Sequence, residues 1–93
     1  MRLRHIEVFH AVYTSGSITG AARLLNVSQP SVSKVLAHAE QQLGFLLFDR
    51  QKGKIVPTRE AERLFIHVSD AYKNITELRR VSKNLGAAES GLI

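Results

Sequence analysis

One side of residues 28–44 offers side chains that can hydrogen-bond to another molecule, and none that would repel an anion. At 100° per residue, a helix over this segment has one apolar sector and an opposite sector of short polar or basic groups. The second sector holds Pro30, Ser33, Lys34, Ala37, His38 and Gln41. No carboxylate occurs between residues 8 and 39, so this face can approach a polyanion without local repulsion. A helix lying in a DNA major groove needs such a face.

Two other kinds of site match the sequence less well: a nucleophilic serine and a metal site. Ser31 and Lys34 fit Ser-x-x-Lys, the nucleophile motif of penicillin-binding enzymes. The sequence has no Ser-Asp-Asn or Lys-Thr-Gly partner element and is too short for that fold, so we predict that the protein is not an enzyme. The histidines lack the spacing of a metal site, and we predict no metal and ordinary surface or boundary positions for His5, His10, His38 and His67.

Signals at the ends of residues 28–44 indicate how the polar face is positioned. Ser28 can cap a helix, Pro30 is tolerated in its first turn, and Gly44 is a typical stop. A first amphipathic helix is predicted from residue 3 to residues 14–16, and a second from 18 to 25, capped by Ser17. Only residues 26–27 separate the second helix from Ser28, which predicts a helix-turn-helix with residues 28–44 as its reading helix.

The second helix is predicted to pack closely on its neighbours. Ala21 and Ala22 let another helix approach, and three larger side chains are expected to fill the core: Ile18, Leu24 and Leu25. Asn26 tolerates the left-handed conformation that such a helix end often requires.

Residues 45–56 predict a small hairpin beside the reading helix. Apolar residues 45–48 and 55–56 flank a turn that contains Gly53. The tip is basic, with Arg50, Lys52 and Lys54. A hairpin in that place forms a wing that can touch phosphates or enter the minor groove, although the same charges also suit a solvated turn.

A heptad series follows from residue 58. Its members are separated by alternating steps of three and four: Ala61, Leu64, Val68, Ala71, Ile75, Leu78, Ser82 and Leu85, with Phe65 and Tyr72 widening the stripe. We predict a long helix that ends at Gly86–Gly91 and pairs with a second copy of the chain. The mixed charges on its flanks favour a protein interface over a membrane surface.

The chain has 93 residues and a formal net charge of +5, so we expect one modest core and an acidic partner. Residues 1–57 carry seven Lys or Arg against three acids, whereas residues 58–93 carry six against five. The binding charge is therefore expected in the first part. The sequence lacks cysteine and any run of membrane-spanning length, which predicts a cytoplasmic protein with no membrane contact.

These features together resemble the N-terminal domain of LysR-type transcriptional regulators, without gaps over nearly all of residues 3–65. The agreement runs through Leu3, Arg4, Phe9, Gly16, Ser17, Ala21, Ala22, Leu25, Ser28, Gln29, Pro30, Val32, Ser33, Glu40, Leu43, Gly44, Leu47, Phe48, Arg50, Pro57 and Thr58. The resemblance implies a mostly α fold: a winged helix-turn-helix, of three helices and a short β-hairpin wing, followed by a long linker and dimerisation helix. It places the DNA-binding domain at 1–57, the linker helix at 58–86 and, at 87–93, the start of a connection to an effector-binding domain.

The resemblance also implies partners and roles. The partner would be an interrupted palindromic promoter site on double-stranded DNA, bound by a homodimer that forms tetramers in the full-length protein. We expect no cofactor in residues 1–93 and a small-molecule effector for the C-terminal domain. Base contacts are expected from Gln29, Pro30, Ser33 and Lys34; phosphate contacts from Ser17, Ser28, Ser31, Arg50, Lys52 and Lys54; dimer contacts from Leu64, Val68, Ala71, Tyr72, Ile75, Leu78 and Leu85.

Three residues depart from the family pattern. Ala39 replaces the usual Leu and predicts a smaller core contact, while Ala61 replaces the usual Gly and favours continuous helix from Thr58 onward. Lys34 replaces the more frequent Arg, and because Lys contacts guanine as a flexible point charge, the base preference there is open. Two other functions stay as alternatives: a coiled-coil assembly module with an incidental basic surface, and a small hydrolase using Ser31 and Lys34.

Overall fold

The computed structural model describes residues 1–91 and consists of four helices and one antiparallel hairpin. In chain order these are α1 (Leu3–Ser15), α2 (Ile18–Leu25), α3 (Gln29–Leu43), β1 (Phe48–Gln51), β2 (Lys54–Pro57) and α4 (Arg59–Gly91). Phe48 lies opposite Pro57 and Gln51 opposite Lys54 in the hairpin. The predicted fold class, three helices and a wing followed by a long helix, is confirmed.

The helix ends form as their sequence signals predict. Ser17 Oγ accepts a 2.8 Å hydrogen bond from the Gly20 N–H, and Ser28 Oγ accepts one of 3.3 Å from the Ser31 N–H. Asn26 adopts the left-handed conformation, with φ of 57°, between α2 and α3. Gly44 does so at the end of α3, with φ of 82°. These local signals fix the short connection that sets α3 across α2.

The core is built around α1. Val8, Phe9 and Val12 of that helix are buried against Val32 and Leu47. The Phe9 ring makes edge-to-face contacts with the rings of three neighbours: Tyr13, Phe48 and Phe65. Each fully buried side chain of this size contributes about 1.5–3 kcal/mol to folding. The helices and the wing therefore share one core.

Two expectations about local packing are wrong. Leu24 is 67% exposed instead of lying in the core, because Ala21, Ala22 and Leu25 set the buried direction of α2 and Leu24 points about 100° away from Leu25. The apolar run at residues 45–47 is not strand, and β1 begins at Phe48. The Leu47 N–H of this run donates instead to the Glu40 carboxylate on α3.

Helix α4 is longer than predicted. It runs 33 residues, about 50 Å at 1.5 Å per residue, and continues through Gly86, where the predicted end at Gly86–Gly91 begins and the predicted linker helix 58–86 stops. One glycine inside a helix costs only about 1 kcal/mol, and the good helix formers on either side outweigh it. Ser90 and Gly91 are helical too, although they lie in segment 87–93, where the start of a connection was expected, and Leu92 and Ile93 lie outside the described residues. No helix within residues 1–91 has an apolar stretch that could span a membrane.

Candidate nucleic-acid interface

Helix α3 has the two faces that its sequence predicts. Val32, Leu36 and Ala39 are buried in the core. The opposite face is open: its exposed residues are Gln29, Pro30, Ser31, Lys34, Ala37, His38 and Gln41, and Ser33 is half-buried. This face is free to contact a partner.

A groove brings most of the candidate contact residues together. It runs between the start of α2, the outer face of α3 and the hairpin. Its lining includes Ser17, Gln29, Pro30, Ser33, Arg50 and Lys54. Lys34, Ser28, Ser31 and Lys52 lie outside the lining of the groove, and all four are exposed. The geometry thus joins three of the four predicted base-reading residues with Arg50 and Lys54 of the wing in one concave surface.

The wing carries its charges on a tight turn. Lys52 and Gly53 connect the strands and both have positive φ, of 50° and 75°, as a two-residue type I′ turn requires. Arg50, Lys52 and Lys54 are all exposed. An exposed basic turn next to a polar helix face suits contact with phosphates.

The serine hydroxyls already have partners within the chain. Ser28 Oγ lies 2.8 Å from Ser31 Oγ, in addition to accepting from the Ser31 N–H. Because a hydroxyl has one donor and two acceptor positions, each serine keeps some capacity for an outside group. The partner of the Ser31 hydroxyl is Ser28. Ser31 and Lys34 both lie on the open face of α3.

Two residues that position the wing match the family pattern, but no role was assigned to them from the sequence. The Glu40 carboxylate accepts a 2.7 Å hydrogen bond from the Leu47 N–H and a 3.4 Å bond from the Phe48 N–H. Both N–H groups thus find an acceptor on α3, and the buried Leu47 N–H is satisfied there rather than in the hairpin. Thr58 Oγ1 donates to the Leu46 carbonyl (2.7 Å) and accepts from the Ala61 N–H (3.1 Å), tying the start of α4 to the same loop.

The expectation that the histidines are ordinary surface or boundary residues is wrong for His5. This residue is only 4% exposed, and its Nε2 lies 3.0 Å from His38 Nδ1 on α3. The pKa of His5 is lowered, first by burial and then by His38, the N-terminal ammonium and Arg2. Within residues 1–91, no three His, Cys, Asp or Glu side chains cluster as metal ligands would.

The heptad stripe of α4 divides into two parts. Its first part packs on the chain's own domain, with Val68 4% exposed and Leu64 against the core. Val68 therefore has almost no surface for a second chain, and we correct its assignment to the dimer interface. Further along, Leu78 and Leu85 are 66% and 62% exposed.

Aromatic stacking fixes the direction in which α4 leaves the domain. The rings of Tyr13 and Phe65 stack with centroids 3.7 Å apart, and those of His10 and Tyr72 with centroids 3.9 Å apart. Burial there lowers the pKa of His10. Tyr72, predicted at the dimer interface, thus uses at least one ring face within its own chain.

Three packed helices with a basic hairpin beside an exposed reading helix define a winged helix-turn-helix domain. Comparison with known protein families supports this class. Residues 3–62 match the family described as bacterial regulatory helix-turn-helix protein, LysR family. The chain belongs to this family. It is 59% identical over 93 residues to the HTH-type transcriptional regulator DgcR of Pseudoalteromonas sp., covering 100% of this chain and 32% of that protein.

Other relatives agree with this membership. The transcriptional activator protein LysR of Escherichia coli (strain K12) is 42% identical over 91 residues, which are 98% of this chain and 29% of that protein. The chain thus spans about a third of the length of these relatives. Among solved structures, the BenM DBD in complex with catB site 1 DNA superposes with a TM-score of 0.81 at 28% identity, covering 92% of this chain and 97% of that one. OxyR of Corynebacterium glutamicum gives a TM-score of 0.84 at 26% identity, over 88% of this chain and 26% of that one.

Proposed function

We propose that the chain binds double-stranded DNA in a sequence-specific way, as the DNA-binding part of a bacterial transcription regulator. The observation that carries this proposal is the groove that joins the start of α2, the outer face of α3 and the basic wing. An α-helix fits the major groove, and a flanking wing reaches the adjacent backbone. The similarity to the DNA-bound BenM domain supports the same mode of binding.

The base contacts are assigned to the first two turns of α3. Gln29 can pair through two hydrogen bonds with adenine, Pro30 can touch a thymine methyl group, and Ser33 can donate or accept. Lys34 reaches guanine as a point charge. Ser17, Ser28 and Ser31, near helix starts, and Arg50, Lys52 and Lys54 on the wing are assigned to phosphates.

We further propose that the regulator acts as a homodimer on an interrupted palindrome. The exposed Leu78 and Leu85 on α4 supply an apolar surface for a second copy. In the complete regulator we propose tetramers, a small-molecule effector that binds a separate domain, a cytoplasmic location and no enzymatic activity. A module for coiled-coil assembly alone is less favoured, because the first half of the stripe packs on the chain's own core.

Matched glutamine variants test the reading role. Binding sites are first enriched from a library of random-sequence duplexes, and affinities are then measured on an enriched site and on a random duplex. Gln29→Ala should cost about 1–3 kcal/mol on the enriched site and leave random duplex binding almost unchanged. Gln42→Ala, an exposed glutamine on the same helix, is the control. Equal losses on both duplexes would reject base reading, and failure of the wild-type chain to enrich any site would reject the proposed function.

A further inference from the structure

Two successive hydrogen bonds between nitrogen atoms connect the N-terminus of α1 to the outer surface of α3. The backbone N–H of Arg2 donates to His5 Nδ1 over 3.1 Å. The next link is the 3.0 Å contact between His5 Nε2 and His38 Nδ1. Beyond it, His38 makes no other side-chain hydrogen bond to the residues that the structure describes, and His38 is exposed.

These contacts select one tautomer of each ring. His5 Nδ1 accepts a hydrogen bond, so it carries no proton, and the neutral ring must hold its proton on Nε2. His5 Nε2–H therefore donates to His38 Nδ1. His38 in turn carries its proton on Nε2, which is the nitrogen that the bond to His5 leaves free. The buried histidine thus turns the exposed one into a hydrogen-bond donor of fixed position.

The position of His38 on α3 indicates what this donor meets. His38 is one turn beyond Lys34 and rotated by about 40° from it. Pro30 and Gln41 lie in the middle of the open face, and His38 is rotated from them by about 60–80°, so it lies toward one flank of the helix. When a helix lies in the major groove, its middle faces the base edges and its flanks face the phosphates. Arg2 and the N-terminal ammonium lie close enough to His5 to lower its proton affinity, so this corner is positively charged.

We propose that His38 donates its Nε2–H to a phosphate oxygen of the DNA backbone, and that His5 is the positioning residue that sets its tautomer and orientation. This inference rests on the proposed function and adds a contact to it. The contact lies on the side of α3 that faces α1. Together with the wing it lets the domain hold the backbone on both sides of the reading helix.

Histidine variants test the contact on a random-sequence duplex, because a phosphate contact does not depend on sequence. His38→Ala should weaken binding about ten- to a hundredfold, the value of one hydrogen bond to a charged group, and by the same factor on an enriched site. The dependence of affinity on salt should stay unchanged, because a neutral donor displaces no counterion. His67→Ala makes the same change at an exposed position of α4 and should bind like the wild type.

Variants of His5 separate positioning from simple stability. A glutamine can accept from the Arg2 N–H and donate to His38, whereas phenylalanine can do neither. We expect His5→Phe to bind DNA as weakly as His38→Ala, and His5→Gln to bind it like the wild type. In the His38→Ala background, His5→Phe should weaken binding no further. Nitrogen-detected NMR of the imidazoles reads the tautomers in the wild-type chain, whatever the variants' stability.

The outcomes are distinct. Unchanged random-duplex affinity for His38→Ala, while the wild type binds DNA, would overturn the contact and leave the proposed function standing. A proton on His38 Nδ1, or a salt dependence that falls by about one counterion in His38→Ala, would overturn the assigned tautomer. Absence of DNA binding by the wild type would reject both proposals at once.

Discussion

The carboxylate of Glu40, on α3, accepts a 2.7 Å hydrogen bond from the backbone N–H of Leu47, just before β1. A second bond from the Phe48 N–H, of 3.4 Å, shares the same oxygen. Leu47 is fully buried, so its N–H has no access to water and depends on Glu40. Together with Thr58, this side chain thus holds the wing against the reading helix.

Removal of that carboxylate should destabilise the domain. Glu40→Ala leaves a buried N–H without a partner, and a hydrogen bond to a charged group is worth about 1.5–3 kcal/mol. Urea denaturation measures the loss. Glu40→Gln keeps an acceptor and should lose less, while Glu62→Ala, exposed on α4, should be close to neutral. Equal stability of Glu40→Ala and the wild type would contradict the role.

Lys52, in the turn of the wing, is expected to strengthen DNA binding and to lower the stability of the fold. Lys52 holds φ of 50°, a conformation that costs a non-glycine residue roughly 1–2 kcal/mol and that Asn tolerates better. Lys52→Asn should raise the free energy of unfolding, weaken binding to every duplex and reduce the salt dependence by about one counterion. Lys54→Asn, with ordinary φ, should lose binding without the gain in stability. A salt dependence unchanged in Lys52→Asn would remove this residue from the interface.

Acid should destabilise the fold through His5. Its pKa in the folded chain is lowered, mainly by burial, below the ordinary value of 6.5. Below pH 6.5 the unfolded chain therefore binds more protons than the folded one, so stability falls as the pH drops toward the folded pKa and is level above 6.5. The pKa of His10 is also lowered by burial, and acts in the same direction.

A series of urea denaturations across this pH range, with the wild type and His5→Gln, checks the effect. The variant should lose part of the pH dependence and keep the part due to His10. An identical slope in both proteins would mean that protonation of His5 does not limit stability.

Two aspartate substitutions in α4 distinguish self-association from folding. Leu78→Asp places a charge on an exposed position and should give monomers in analytical ultracentrifugation with little change in the melting temperature of the winged domain. Val68→Asp places a charge in the core and should unfold it, because a buried unpaired charge is among the most destabilising changes. A Leu78→Asp chain that still dimerises would locate the interface elsewhere.

The sequence by itself determined the local structure. Helix periodicity and the signals at Ser17, Asn26, Ser28 and Gly44 act within a few residues, so they predicted α1 to α3 and the open face of α3. The same is true of the basic turn. These features depend on backbone conformation and short-range hydrogen bonds, which the neighbouring residues decide.

Only the tertiary structure decided which distant groups meet. His5 and His38 are 33 residues apart, and Arg79 reaches Glu7 over 3.2 Å across 72 residues. The same packing buries Val68, stacks Tyr72 on His10 and leaves Leu24 in solvent. Helix spacing predicts the direction of a side chain but not the angle and height at which another helix crosses it. For this reason the reading face was predictable, and the histidine and carboxylate that position its surroundings were not.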